Sequence, residues 1–141
     1  MSALTKSRMN KALGASGMDF PVAANVKGYK GGLAVASGGY VKPGVSASSL
    51  FVVGVFSEDF DNTGGSAGDI TVHVDFGKER KFVRMIGDPS NLFAATDLFG
   101  TAYILDDQTV TTDSSSKTAM PGKVFRIESK NDVQLVHVEI V

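Results

Sequence analysis

Residues 50–76, LFVVGVFSEDFDNTGGSAGDITVHVDF, leave this chain few ways to fold. Residues 50–56 are apolar at every position except Gly54, and so short a run with no polar face suits a central strand covered on both sides. Ile70, Val72, Val74 and Phe76 then alternate with Thr71, His73 and Asp75, the period of two expected when one strand face packs inward. Between them, SEDFDNTGGSAGD holds paired glycines that accept unusual backbone angles, and Asp and Asn side chains that cap turns. The stretch predicts a β-hairpin at the centre of an all-β domain. It also marks Asp59, Asp61, Asn62 and Asp69 as an acidic loop suited to contact with a neighbouring subunit.

The flanking sequence continues the pattern. Residues 26–46 read as a hairpin, with Leu33 and Val35 on one face and Gly38 and Gly39 at the turn. Gly77 to Arg80 makes a tight turn into a strand over residues 81–87, whose buried face the sequence leaves open. Asp88, Pro89 and Ser90 break that strand, and Leu92, Phe93, Leu98 and Phe99 fit the body's single short helix. Residues 103–105 and 109–111 form two short strands about the turn at Asp106, Asp107 and Gln108. Residues 114–122 read as a flexible connection. Residues 123–128 and 133–140 close the domain as a hairpin around residues 129–132, with Phe125 and Ile127 opposing Arg126 and Glu128, and with Val136, Val138 and Ile140 on the core face. Strands in hairpin order imply a single antiparallel barrel or sandwich, preceded by an extended N-terminal arm. The arm covers residues 1–25 and the β-rich domain residues 26–141.

Length and composition fit this division. The 141 residues, 43% hydrophobic, suit one domain with a core and an appendage. With no cysteine, disulfides and thiolate metal sites are excluded, and stability falls to packing or oligomerisation. No apolar run approaches the roughly 20 residues of a membrane span, and the N-terminus has no apolar segment of the kind a signal peptide needs, so the expectation is a soluble, unprocessed protein. The net charge of −1 hides a split: Lys6, Arg8 and Lys11 fall within residues 1–18 with no acid, leaving 11 basic and 15 acidic side chains elsewhere. An acidic body is a poor nucleic-acid binder, whereas a basic arm can reach an acidic surface. Leu4 to Leu13 can form one short helix. The arm's scattered apolar residues need a neighbouring surface to become ordered, with Met18 and Phe20 as anchors.

The residue types that support catalysis are sparse. His73 and His137 alternate with inward valines, so both are expected to point outward as surface imidazoles. Gly65-Ser66-Ala67-Gly68 lacks the spacing and the strand-to-helix setting of a nucleophile elbow. Gly31 and Gly32 lack the Lys-Ser/Thr pair of a phosphate-binding loop. Two separated histidines do not supply a zinc site. Asp59 to Gly64 begins like a calcium loop, but its twelfth position is Ile70, where that loop needs a bidentate glutamate. The sequence therefore leads us to expect no enzyme, no cofactor and no metal.

The order of features resembles the small capsid cement, or head decoration, proteins of tailed bacteriophages. The resemblance rests on a KGG-containing first hairpin, VVGVFSEDFDNTGGSAGDITVHVDFG, GTAYILDDQTVT, PGKVFRIES and a terminal valine-rich strand, and it covers most of residues 26–141. It implies a non-enzymatic virion protein on the outer surface of the capsid, made in the host cytoplasm, commonly trimeric, that bridges adjacent major capsid protein subunits. No direct contact with nucleic acid or membrane follows from it. The arm lies outside the resemblance; its own residues suggest that Leu4, Lys6, Arg8, Lys11, Met18 and Phe20 touch the capsid, with the acidic loop as a second contact. Another virion component, such as a head fibre base or tail subunit, and a carbohydrate-binding surface module are the alternatives.

Overall fold

The computed structural model describes residues 16–77 and 82–140. The helix expected between Leu4 and Leu13 and most of the turn at 77–80 lie outside the described residues. The described residues form twelve strands in order: β1 (Gly17–Pro21), β2 (Lys27–Gly28), β3 (Leu33–Ser37), β4 (Tyr40–Pro43), β5 (Phe51–Phe56), β6 (Phe60–Asp61), β7 (Thr71–Asp75), β8 (Phe82–Gly87), β9 (Thr101–Ile104), β10 (Thr109–Thr111), β11 (Ala119–Lys130) and β12 (Val133–Glu139). Among the described residues a single 3₁₀ turn, Ala95–Asp97, stands where the short helix is expected. The protein is all-β.

The strands form two five-stranded units and a small ribbon. β8 to β12 close into a barrel in the order β10-β8-β12-β11-β9, antiparallel except for the β8–β10 pair. The other unit is an antiparallel sheet ordered β1-β7-β5-β3-β4, with β2 and β6 as a separate ribbon. That sheet rolls up until its two edges touch at a bridge between Val22 and Val41, where Ala23 N–H donates to the Val41 carbonyl at 2.9 Å. The units are joined by Leu33 N–H donating to the Asp107 carbonyl at 2.7 Å and by Leu50 N–H donating to Thr118 Oγ1 at 3.0 Å.

β3 and β5 serve two cores, which explains their apolar character. Leu33 and Val35 join the barrel core of Met85, Ile104, Val124, Val136 and Val138, against which Val52 and Val55 pack. Ala34 and Phe56 join Val22, Val41, Val72 and Val74 inside the rolled sheet, with Val53 packed against them. Simple alternation would not place Val52 with Val55. Opposite β3, the register jumps from Gly54 to Val52, so Val53 is an extra residue, and such a bulge reverses which face the side chains take. Gly54 is the one non-apolar residue of this run because a Cβ there would strike the Asp75 carbonyl of β7. The run is not covered throughout as expected: Phe51 is 71% exposed.

A second bulge lies in β11. Val124 faces Val138 while Arg126 faces His137, so Phe125 is the additional residue, and Val124 rather than Phe125 enters the core. β11 also starts earlier than expected: Ala119 pairs with Tyr103 and Met120 is buried, so the expected flexible connection ends at Thr118. On β8 the inward residues are Val83 and Met85. The closing hairpin turns on Asn131 and Asp132 alone, both at positive φ, because Ser129 and Lys130 stay paired with β12. This is the twist-matched two-residue turn also formed by Gly38 and Gly39.

β1 is the largest difference from the sequence reading. Gly17–Pro21, read there as the end of the arm, pairs with β7 from Gly17–Asp75 to Pro21–Thr71. The sheet therefore begins before residue 26. Pro21 fits because β1 is an edge strand, where a missing N–H costs no ladder bond.

Candidate contact surfaces

The two ends of the rolled sheet differ. At one end lie the end of β1, the start of β7 and the end of β5, and the connection over residues 57–70 folds across them. Phe60 packs on Phe56 with ring centroids 4.7 Å apart, and Val26 and Ile70 add to the same core. Asn62 fixes this cap. Only 4% exposed, it donates through Nδ2 to the carbonyls of Ala23 at 2.8 Å and Ser66 at 3.1 Å, while its N–H reaches the Val26 carbonyl at 2.8 Å.

This arrangement divides the expected acidic contact loop. Asn62 is turned inward and is no surface contact, because its amide satisfies carbonyls that the fold buries. Asp59 Oδ1 accepts from Lys30 N–H at 2.8 Å, Asp61 Oδ1 from Thr63 N–H at 2.9 Å, and Asp69 Oδ2 from Ser66 N–H at 2.9 Å. These three side chains remain at the surface, each holding a turn. Hydrogen bonds from Thr63, side chain then backbone, keep the Asp61 carboxyl below the usual range. The loop is a shaped surface rather than a loose tip. Among the described residues no three His, Cys, Asp or Glu side chains gather as a metal site, and no helix is long and apolar enough to cross a membrane.

The opposite end is open. There the start of β1, the end of β7, the start of β5 and the β3–β4 turn surround an apolar mouth of about 610 Å³, lined by Met18, Phe20, Val41, Phe51, Val53 and Phe76 among others. Of the expected arm contacts, Met18 and Phe20 therefore sit together in this mouth. Met18 is 47% exposed, and Phe20 packs against the rolled-sheet core below it. Leu4, Lys6, Arg8 and Lys11 lie outside the described residues. The sequence alone did not reveal the mouth, since its walls come from separated segments; the signal it did offer was the pair Met18 and Phe20, two apolar side chains with no local partners.

A second apolar surface crosses the outside of the barrel. The Phe125 ring meets Phe82 at 5.2 Å and Phe99 at 5.6 Å, both edge-on. Phe99 is 68% exposed and sits at φ 64°, a left-handed conformation that side chains other than glycine rarely adopt. Its N–H donates to the Val124 carbonyl at 2.7 Å, and Val124 N–H returns to the Gly100 carbonyl at 3.0 Å. Beside the rings, Glu128 lies 3.2 Å from both Arg126 Nη2 and His137 Nε2, with the His137 contact first among the causes lowering its carboxyl pKa. The other histidine, His73, meets Asp19 at 2.9 Å.

Neither surface brings a nucleophile beside a base; both are suited to apolar contact. In comparisons with known proteins, no family model, no curated sequence and no solved structure matches this chain.

Proposed function

We propose that this chain is a non-enzymatic capsid cement protein of a tailed bacteriophage, which binds the outer surface of the assembled shell as a homotrimer and bridges adjacent major capsid protein subunits. The reading is carried by the resemblance of residues 26–141 to that family. The geometry adds a means of acting: Phe51, Phe82 and Phe99 stand exposed on a hydrogen-bonded β frame, and large apolar side chains left uncovered favour contact with a partner. Many modest contacts of this kind, repeated over a lattice, reinforce a shell strongly through effective concentration even when one site is weak. The basic residues Lys6, Arg8 and Lys11 supply attraction to an acidic surface before the apolar contacts form. Neither nucleic acid nor membrane takes part in this scheme, and the protein works on the virion exterior.

The test is co-sedimentation of the purified protein with undecorated tailed-phage capsids. The proposal predicts saturable binding at a fixed ratio to the major capsid protein and a higher temperature of shell disruption. Absence of saturation, or binding that leaves shell stability unchanged, contradicts it.

A further inference from the structure

We propose that the cleft between residues 29–32 and the turn at Asp106 to Gln108 is a binding site for an organic cation, an ammonium or guanidinium group held between the Asp107 carboxylate and the Tyr29 ring. The cleft measures about 410 Å³ and is lined by Tyr29, Lys30, Gly31, Gly32, Asp107 and Gln108. It lies where the chain leading into β3 meets the β9–β10 turn of the barrel. Seams between packed units are common places for ligand sites, because walls from separate segments leave a concavity.

Backbone hydrogen bonds fix both walls. Gly31 N–H donates to the Phe56 carbonyl at 2.9 Å, Gly32 N–H to the Tyr29 carbonyl at 3.0 Å, and Leu33 N–H to the Asp107 carbonyl at 2.7 Å. At Gly32 a Cβ would lie 3.1 Å from Asp107 Oδ2, so the missing side chain leaves that carboxylate room at the wall. Tyr29 is 57% exposed and packs on no other ring among the described residues. Its ring face is open to a cation, which the ring's quadrupole attracts.

The charge pattern selects the ligand. Among the described residues Asp107, partly buried, forms no ion pair. The nearby acids are occupied: Asp106 Oδ1 accepts from Gln108 N–H at 2.9 Å, and Asp61 faces Lys27 across the β2–β6 ribbon. Burial first, then the Asp106 charge, raises the Asp107 carboxyl pKa, and a bound cation offsets both. Lys30 borders the cleft, yet it is not among the charges acting on Asp107. One unpaired carboxylate beside an aromatic ring suits an organic cation, whereas a hard metal ion takes several oxygen ligands. This inference does not depend on the capsid reading.

The test is titration of the isotope-enriched full-length protein with tetramethylammonium, with ethylguanidinium and with a short neutral-ended peptide carrying one arginine, followed by amide chemical shifts. Saturable shifts at Gly31, Gly32, Asp107 and Gln108 are expected, and none with neopentanol, a neutral molecule of similar size. Tighter binding of the peptide than of ethylguanidinium supports a polypeptide as the source of the cation, and equal binding supports a free small molecule. Asp107→Asn and Tyr29→Ala should each weaken binding at least fivefold, while Tyr29→Phe retains it because the ring face remains. The Asp107 backbone carbonyl, not its side chain, holds Leu33, so Asp107→Asn should keep the parent's spectrum outside the cleft. Undiminished binding by Asp107→Asn overturns the proposal, as do shifts of equal size at Asp59, Asp61 and Asp69, which indicate attraction to any acidic surface. Equal shifts with calcium chloride at matched ionic strength overturn it too, in favour of an inorganic ion.

Discussion

Asn62 shows how one side chain can decide whether a loop is free or built. Its amide holds the carbonyls of Ala23 and Ser66, so Asn62→Ala leaves both without that donor. The expected cost is about 2 kcal/mol, read as a lower urea midpoint with an unchanged slope. Phe99 behaves in the opposite way. Its left-handed backbone carries a steric cost of roughly 1–2 kcal/mol for a side chain that is not glycine, and its exposed ring repays little of that by burial. Phe99→Gly is therefore expected to leave stability unchanged or raised in thermal unfolding, while weakening capsid binding if the exposed ring is a contact. A clear loss of stability would show instead that the ring holds the barrel surface together. Neither role was legible in the sequence: the burial of Asn62 depends on segment 22–26 crossing above it, and the conformation of Phe99 depends on the Val124 carbonyl of a distant strand.

At the scale of elements, regular strands were legible and irregular ones were not. β7 and the second half of β12 alternate, and Val72, Val74, Val136 and Val138 are all buried, while on β3 Leu33 and Val35 are buried as expected but Ala34 between them is buried too. The bulges at Val53 and Phe125 escaped because an extra residue is defined by the partner strand's register, which local sequence does not encode. β1 escaped because GMDFP has little alternation and its pairing is with β7, far along the chain. The connection before β11 offers a pH test. The Asp113 carboxyl is lowered from 3.8 to about 2, first by hydrogen bonds from Ser115, backbone then side chain, and then by Lys117. A depressed carboxyl stabilises the fold fully above its unfolded pKa, and the contribution is lost as pH falls through the folded value. Between about pH 3.8 and about 2, the native protein should lose stability more steeply than Asp113→Asn. Equal slopes in acid titrations of the urea midpoint would remove this assignment.

At the scale of the whole molecule, the described residues form a barrel and a rolled sheet, with one capped end, one open end and an aromatic strip on the barrel. The all-β class was readable from hairpin spacing and turn residues. The contact surfaces were readable only in fragments, since Met18, Phe51 and Phe76 come together through sheet rolling and Phe82, Phe99 and Phe125 through barrel closure. If these surfaces meet the shell, Phe51→Asp combined with Phe99→Asp should reduce capsid co-sedimentation at least tenfold, equivalent to about 1.4 kcal/mol, with the urea midpoint nearly unchanged. The most direct test of the cement reading is electron microscopy of shells incubated with the protein. Added density on the outer face, spanning the boundaries between neighbouring major capsid subunits, is the predicted result; density confined to the tail or the shell interior, or no added density at saturating protein, would contradict it.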